Sequence, residues 1–295
     1  MVYFDSIMKT KLLFIRNLFT VLSVVAPAIA AQLAFRLFQT TRKKTMTEKE
    51  RSFYQNAERF IICHEKEDII AYRLGNPLGK LVFLVHGWES NAGSMAAIAY
   101  SMVQQGFNVI AFDLPAHGHS RLKRTNLLES SHVFKTILDY FNPMEFSVIS
   151  HSFGSAVTSY TLSHSKHIPK QLVFLTSPNQ ILDIFEDFRD LIGLGSNAYR
   201  LFLKRIQSII PEPLSEVTVL NMNKTIGYQD LLLIHDRYDK IIPFAYSQRM
   251  LENLDNTYLE PFEKIGHYRM LWNPNVVIKI LSHWQNNLLL DRSVA

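Results

Sequence analysis

Apolar and polar positions fall into two regimes along this chain, with the change near residue 52. Beyond it, short apolar runs alternate with helical stretches. Residues 81–85, 108–112, 146–149, 172–175 and 231–234 are almost continuously apolar. Strands buried on both faces of a parallel sheet have this pattern, because helices cover each side. Residues 60–63 and 69–72 predict an antiparallel hairpin ahead of them, and 257–261 predicts a late strand. Helical stretches fall near 91–105, 127–141, 153–165 and 244–254. A hairpin followed by βαβ units predicts an α/β domain with a doubly covered, mostly parallel sheet.

One connection is far too long for an ordinary αβ loop. Within residues 176–228, Ile181, Phe185, Phe188 and Ile192 recur at helical spacing, and Leu201, Phe202, Ile206, Ile209 and Ile210 form a second apolar helix. We expect a helical cap insertion here. Its apolar side should face the crevice at the strand carboxyl ends, where open α/β sheets bind ligands.

Residues 1–51 form a separate leader, with nine Lys/Arg against three Asp/Glu, net +6. The whole chain of 295 residues is net +5, so the remainder is close to neutral. A basic, apolar leader on a neutral body favours a membrane surface over nucleic acid. Residues 18–35 are uncharged, which admits a membrane anchor, and Ala28-Ile29-Ala30 offers a secretory cleavage motif. A third reading is a retained helix over 27–44, opened by Pro27. Gln32, Arg36, Gln39 and Lys43 would form its polar stripe, and Ile29, Leu33 and Leu37 an apolar face that covers the body or enters lipid headgroups. This reading predicts peripheral membrane contact through residues 11–44 and a cytoplasmic protein at the inner membrane face. The anchored and secreted alternatives stand beside it. The single cysteine, Cys63, excludes an internal disulfide framework and suits a reducing compartment. With 47% hydrophobic and 19% charged residues, a disordered chain is excluded.

Candidate chemistry begins at Ser150-His151-Ser152-Phe153-Gly154, directly after a buried strand and before a helix. A serine on so tight a turn presents its hydroxyl at the sheet edge. Small residues two before and two after it are needed where strand and helix backbones meet. An acidic turn, from Asp236 to Asp239, follows the strand at 231–234, and Gly266-His267 follows the strand at 257–261. A serine needs a general base to attack at neutral pH, and the base needs a carboxylate to fix its tautomer. Ser152, an aspartate and His267 occur in that chain order. His151 and His235 read as packing residues. His117-Gly118-His119 could ligate a metal, but no further ligands follow at suitable spacing, so no metal or other cofactor is expected.

With His86-Gly87-Trp88 and Asp113-Leu114-Pro115-Ala116-His117-Gly118-His119-Ser120, residues 58–290 resemble an α/β-hydrolase of the serine esterase/lipase-like branch. The resemblance implies an eight-stranded, mostly parallel sheet over residues 52–295. It assigns Ser152 as nucleophile, His267 as base, Asp239 rather than Asp236 as the acid, and the amides of Trp88 and Phe153 as oxyanion donors. Ala116 stands where this family usually has glycine, and Ser150 replaces the first glycine of the elbow. The implied activity is hydrolysis of a small-molecule or lipid carboxylic ester with an apolar acyl or alcohol group, through an acyl-enzyme. Acyl transfer or thioester cleavage on the same residues is the catalytic alternative. A non-catalytic protein binding an apolar ligand at a membrane is the alternative from another class.

Overall fold

The computed structural model describes residues 2–42, 44–65 and 67–294, with side chains over 10–284 except Lys43 and Lys66. Eight strands form one sheet: β1 (Glu58–Ile62), β2 (Ile69–Leu74), β3 (Leu81–Val85), β4 (Asn108–Phe112), β5 (Phe146–His151), β6 (Gln171–Leu175), β7 (Asp230–Asp236) and β8 (Thr257–Phe262). Their spatial order is β1-β2-β4-β3-β5-β6-β7-β8. The β1–β2 and β2–β4 pairs are antiparallel and every other pair is parallel. Strands β4 to β7 are buried along their whole length, as the unbroken apolar runs require.

The helices are α1 (Val2–Val25), α2 (Pro27–Phe38), α3 (Glu48–Asn56), α4 (Ala96–Gln104), α5 (Leu127–Phe141), α6 (Phe153–Ser163), α7 (Ile181–Ile192), α8 (Ser196–Gln207), α9 (Val219–Asn223), α10 (Ala245–Asn253) and α11 (Pro274–Val294). Local chemistry sets several of their ends. Thr47 and Glu50 close a reciprocal capping box on α3, and the Asn126 side chain caps α5. No helix among the described residues is long and apolar enough to cross a membrane.

The chain divides into two compact units, residues 1–40 with 180–218 and residues 41–179 with 219–295. This corrects two expected boundaries. The leader separates from the body after Thr40 rather than residue 51, since α3 runs across that point. The insertion also joins the leader over 180–218 only, and α9 belongs to the larger unit.

The smaller unit shows why the leader and the insertion go together. Gly193 ends α7 in the left-handed region, φ +69°, which favours glycine. A Cβ there would also lie 2.8 Å from Arg16 Cγ and 2.9 Å from Thr20 Oγ1 of α1. Ser23 Oγ accepts from the Gly195 amide at 2.9 Å. On α2, Phe38 meets the rings of Phe185, Phe188 and Phe202 edge-on, at 5.1–6.0 Å.

One expectation for α2 fails, and one of two alternatives for its apolar face is dropped. It opens with Pro27 in the first turn but ends at Phe38, not at residue 44, and Lys43 lies outside the described residues. The covering face is also different. Ala30, Ala31 and Ala34 are buried, whereas Ile29, Leu33 and Leu37 stay 55%, 37% and 36% exposed. Alanines let the α2 backbone approach α8 more closely than branched side chains would.

Phe38→Ala should therefore loosen the smaller unit alone, at a cost of about 2–3 kcal/mol for a half-buried aromatic. Hydrogen exchange should accelerate over 10–38 and 181–207 and leave β3 to β7 protected.

Candidate active site

Ser152 stands between β5 and α6 with φ 52° and ψ −121°, a conformation that L residues adopt only when their surroundings impose it. Three contacts impose it. The Ser152 amide donates to Leu175 O on β6 at 2.9 Å. Gly154 lets α6 start against β3, where a Cβ would fall 2.2 Å from Val85 O. The Ser150 hydroxyl, in place of the usual glycine, is fully buried and bonds Thr158 Oγ1 at 2.6 Å. That bond explains why a serine is accommodated there.

The histidine and the two aspartates come from the far edge of the sheet. His267 Nε2 lies 3.0 Å from Ser152 Oγ, and its Nδ1 lies 2.8 Å from Asp239 Oδ2. Asp239 Oδ1 accepts from the amides of Ile241 and Ile242 at 2.8 and 3.1 Å. Burial pushes the Asp239 carboxyl up, but the His267 contact and these amides outweigh it and hold the pKa below the usual carboxylate value. Asp236 does something else. Its carboxylate accepts from Tyr238 N in its own turn at 2.8 Å, and from Lys264 N and Gly266 N across the gap at 3.2 and 2.5 Å. It thus ties down the loop that ends at His267.

The loop after β3 is oriented by His86. Its Nδ1–H donates to Gly87 O at 2.8 Å while Nε2 accepts from Leu114 N at 3.0 Å, so it is neutral with the proton on Nδ1. Peptide bonds among the described residues are trans. The Trp88 N–H therefore points opposite to the Gly87 carbonyl that His86 holds. Gly87 must be glycine, since a Cβ would sit 2.9 Å from His151 Nδ1 and 3.2 Å from Ser152 Cβ. The ring of Trp88 meets that of Phe153 edge-on at 5.2 Å, bringing together two residues 65 positions apart.

His117 and His119 act within the loop after β4. His117 donates from Nδ1 to Pro115 O and accepts the Glu89 amide at Nε2, each at 2.9 Å. His119 Nδ1 lies 2.7 Å from the Tyr72 hydroxyl. Asp113, fully buried, accepts from Ala92 N, His119 N and the Tyr54 hydroxyl. Burial raises its pKa against the pull of these donors. Ala116 takes φ 65°, so alanine carries there the strain that glycine would avoid. His151 donates from Nε2 to His267 O at 3.1 Å, and His235 spans Ser247 Oγ and Ile242 O.

The sequence reading missed Arg42 and Glu89. Glu89 follows Trp88 with φ 53°. Its carboxylate takes Arg42 Nε and Nη2 at 2.7 Å each and the Arg42 amide at 3.1 Å. Thr41 Oγ1 donates to Ala116 O at 2.6 Å, and Lys44 Nζ lies 5.0 Å over the Tyr268 ring. The tether behind the leader thus grips three loops around Ser152. A pair 47 positions apart, one partner in a basic run, leaves no local signal.

Burial lowers the pKa of His86 to about 4 and of His117 and His151 to about 3. Unfolded histidines titrate near 6.5, so between about pH 6 and pH 4 the unfolded chain binds more protons and stability falls with falling pH. Near pH 5 these residues bind about three protons on unfolding, less what the raised Asp113 offsets. Denaturant midpoints measured across that range should drop accordingly, and more shallowly in His117→Gln.

Residues 80–192 match the family model described as alpha/beta hydrolase fold. A serine hydrolase-like protein of Dictyostelium discoideum is 24% identical over 70% of this chain, which spans 55% of that relative's length. An esterase of Pyrococcus furiosus is similar in structure, with a TM-score of 0.60 at 21% identity, covering 85% of this chain and 95% of the esterase. An esterase of Exiguobacterium antarcticum gives 0.60 at 16% identity, covering 77% and 99%.

Proposed function

We propose that this chain, whose residues 80–192 match the alpha/beta hydrolase fold model, is a serine hydrolase cleaving a carboxylic ester through an acyl-enzyme. The observation that carries this reading is the run of short contacts from Ser152 Oγ through the His267 ring to Asp239. His267 Nε2 takes the Ser152 proton as Oγ bonds to the ester carbonyl carbon. The carbonyl oxygen becomes an oxyanion, received by the amides of Trp88 and Phe153. The carbonyl re-forms, the ester C–O bond breaks, and the alcohol leaves with the proton from His267. Water, deprotonated by the same nitrogen, then releases the acid and restores Ser152. Asp239 stays ionised, keeps the His267 proton on Nδ1 in the resting state, and stabilises the imidazolium.

The paired rings of Trp88 and Phe153 beside the serine favour an apolar acyl or alcohol group. A thiol ester or an acceptor alcohol could use the same acyl-enzyme, and graded substrates separate these outcomes.

A fluorophosphonate probe should label the wild-type protein, and Ser152→Ala should abolish both labelling and p-nitrophenyl ester turnover while the protein stays folded. Asp239→Asn should cost on the order of 10³–10⁴ in kcat, by analogy with other triads. Labelling that survives in Ser152→Ala would remove Ser152 as the nucleophile.

The Glu89 contacts add a second expectation. Arg42 is largely exposed, so its loss should cost little stability. It would, however, free the residue that follows Trp88. Arg42→Ala should lower kcat about tenfold with KM nearly unchanged, since a displaced oxyanion donor acts on the transition state.

A further inference from the structure

Every helix of the smaller unit has one face committed within that unit. The opposite faces differ. On α7 and α8 the exposed positions are mostly polar, such as Glu186, Asp187, Asp190, Arg200, Lys204 and Arg205. That is the ordinary amphipathic arrangement. Helices α1 and α2 break it.

The committed face of α1 is unambiguous. Phe19 and Ser23 are buried, and Arg16 and Thr20 lie against Gly193. Phe14, Leu18, Val21 and Val25 lie on the other side, at i, i+4, i+7 and i+11, and are 69%, 44%, 61% and 77% exposed. The stripe is continued on α2 by Ile29 and Leu33, also exposed, while the alanine face of that helix is buried. A soluble surface rarely carries so long an apolar stripe without a partner.

The charges around the stripe select the partner. Residues 6–40 contain four Lys/Arg and no Asp or Glu, and the exposed acidic residues Glu186, Asp187 and Asp190 stand on α7. Exposed Lys11 stands at the start of the α1 stripe and exposed Arg36 on the outward side of α2. An apolar stripe with a cation near each end and no acidic residue between them on its own two helices complements an anionic lipid surface, acyl chains below and headgroups around. No helix among the described residues is long and apolar enough to cross a membrane, so the stripe is considered as a face lying in the plane of the surface.

We infer that the outer faces of α1 and α2 form a docking surface for anionic membranes, with Phe14, Leu18, Val21, Val25, Ile29 and Leu33 entering the acyl boundary and Lys11 and Arg36 meeting headgroups. This is independent of the ester-hydrolase reading, and the two can fail separately.

The test uses the full chain and vesicles of phosphatidylcholine with or without about 30% phosphatidylglycerol, near physiological salt. Wild-type protein should co-sediment with the anionic vesicles at least tenfold better than with the zwitterionic ones, and less at about 0.5 M salt. Val21→Asp/Val25→Asp/Leu33→Asp should reduce partition at least tenfold. Lys11→Glu/Arg36→Glu should remove the preference for anionic lipid. Soluble p-nitrophenyl butyrate turnover and hydrogen exchange over α7 and α8 should be unchanged in both variants, which excludes unfolding as the cause. Equal sedimentation of wild type and the triple-aspartate variant would overturn the inference. So would a wild-type dimer in light scattering that this variant disperses, with no vesicle binding by either, since the face would then join two copies. Loss of ester turnover alone would count against the hydrolase reading and leave the docking surface standing.

Discussion

The left-handed backbone of Ser152 is the constraint around which the larger unit is arranged. A serine in this conformation costs about 1–3 kcal/mol, and it persists only where the neighbours leave no alternative. Here β6 holds its amide, β3 meets α6 where Gly154 has no side chain, and Ser150 locks onto Thr158. Relaxing the turn would bring α6 into the end of β3 and move Oγ away from His267. The strain and the 3.0 Å contact to the ring are two consequences of one packing arrangement.

Three aspartates near the site share a residue type and differ in what they hold. Asp239 faces the imidazole, with one oxygen left for the amides of its own turn. Asp236, three residues earlier, spans two loops and sets the height of Gly266, so it acts on His267 through the backbone. Asp113 has no contact with Ser152 or His267 and gathers two loops and two tyrosines around one buried carboxylate. Such a group is costly to bury unless its acceptors are satisfied, and here two backbone amides and two tyrosine hydroxyls satisfy them. Glycine at 118 follows from the same crowding, because a Cβ there would lie 2.2 Å from that carboxylate.

The smaller unit uses a different economy. Its contacts are aromatic edges, two glycines under α1 and an alanine face on α2, with few polar bonds. Leader and insertion are separated by about 140 residues of sheet and loops, yet each supplies half of one small core. Their joint apolar requirement explains why the insertion carries phenylalanines at helical spacing, which a lone surface excursion would not need.

Much of this was legible from one-dimensional pattern. Unbroken apolar runs determined which segments would be interior strands, because only a doubly covered sheet tolerates them. The order serine, acidic turn, histidine, with small residues at 150 and 154, likewise reflected local rules of turn and close approach, whereas the choice of Asp239 over Asp236 came from the family resemblance. Other features depended on partners far apart in the chain. Nothing in Arg42 or Glu89 taken singly announces their bidentate contact. Periodicity could show that α2 has two kinds of face but not which one turns inward, because alanine is compatible with either. The buried side was decided by how closely α8 approaches, a distance set by the whole unit. Sequence therefore determined the elements and the chemistry each could carry, through interactions a few residues long. Tertiary structure alone decided which faces were spent on packing and which were left outside, because that choice depends on contacts that exist only once distant segments meet.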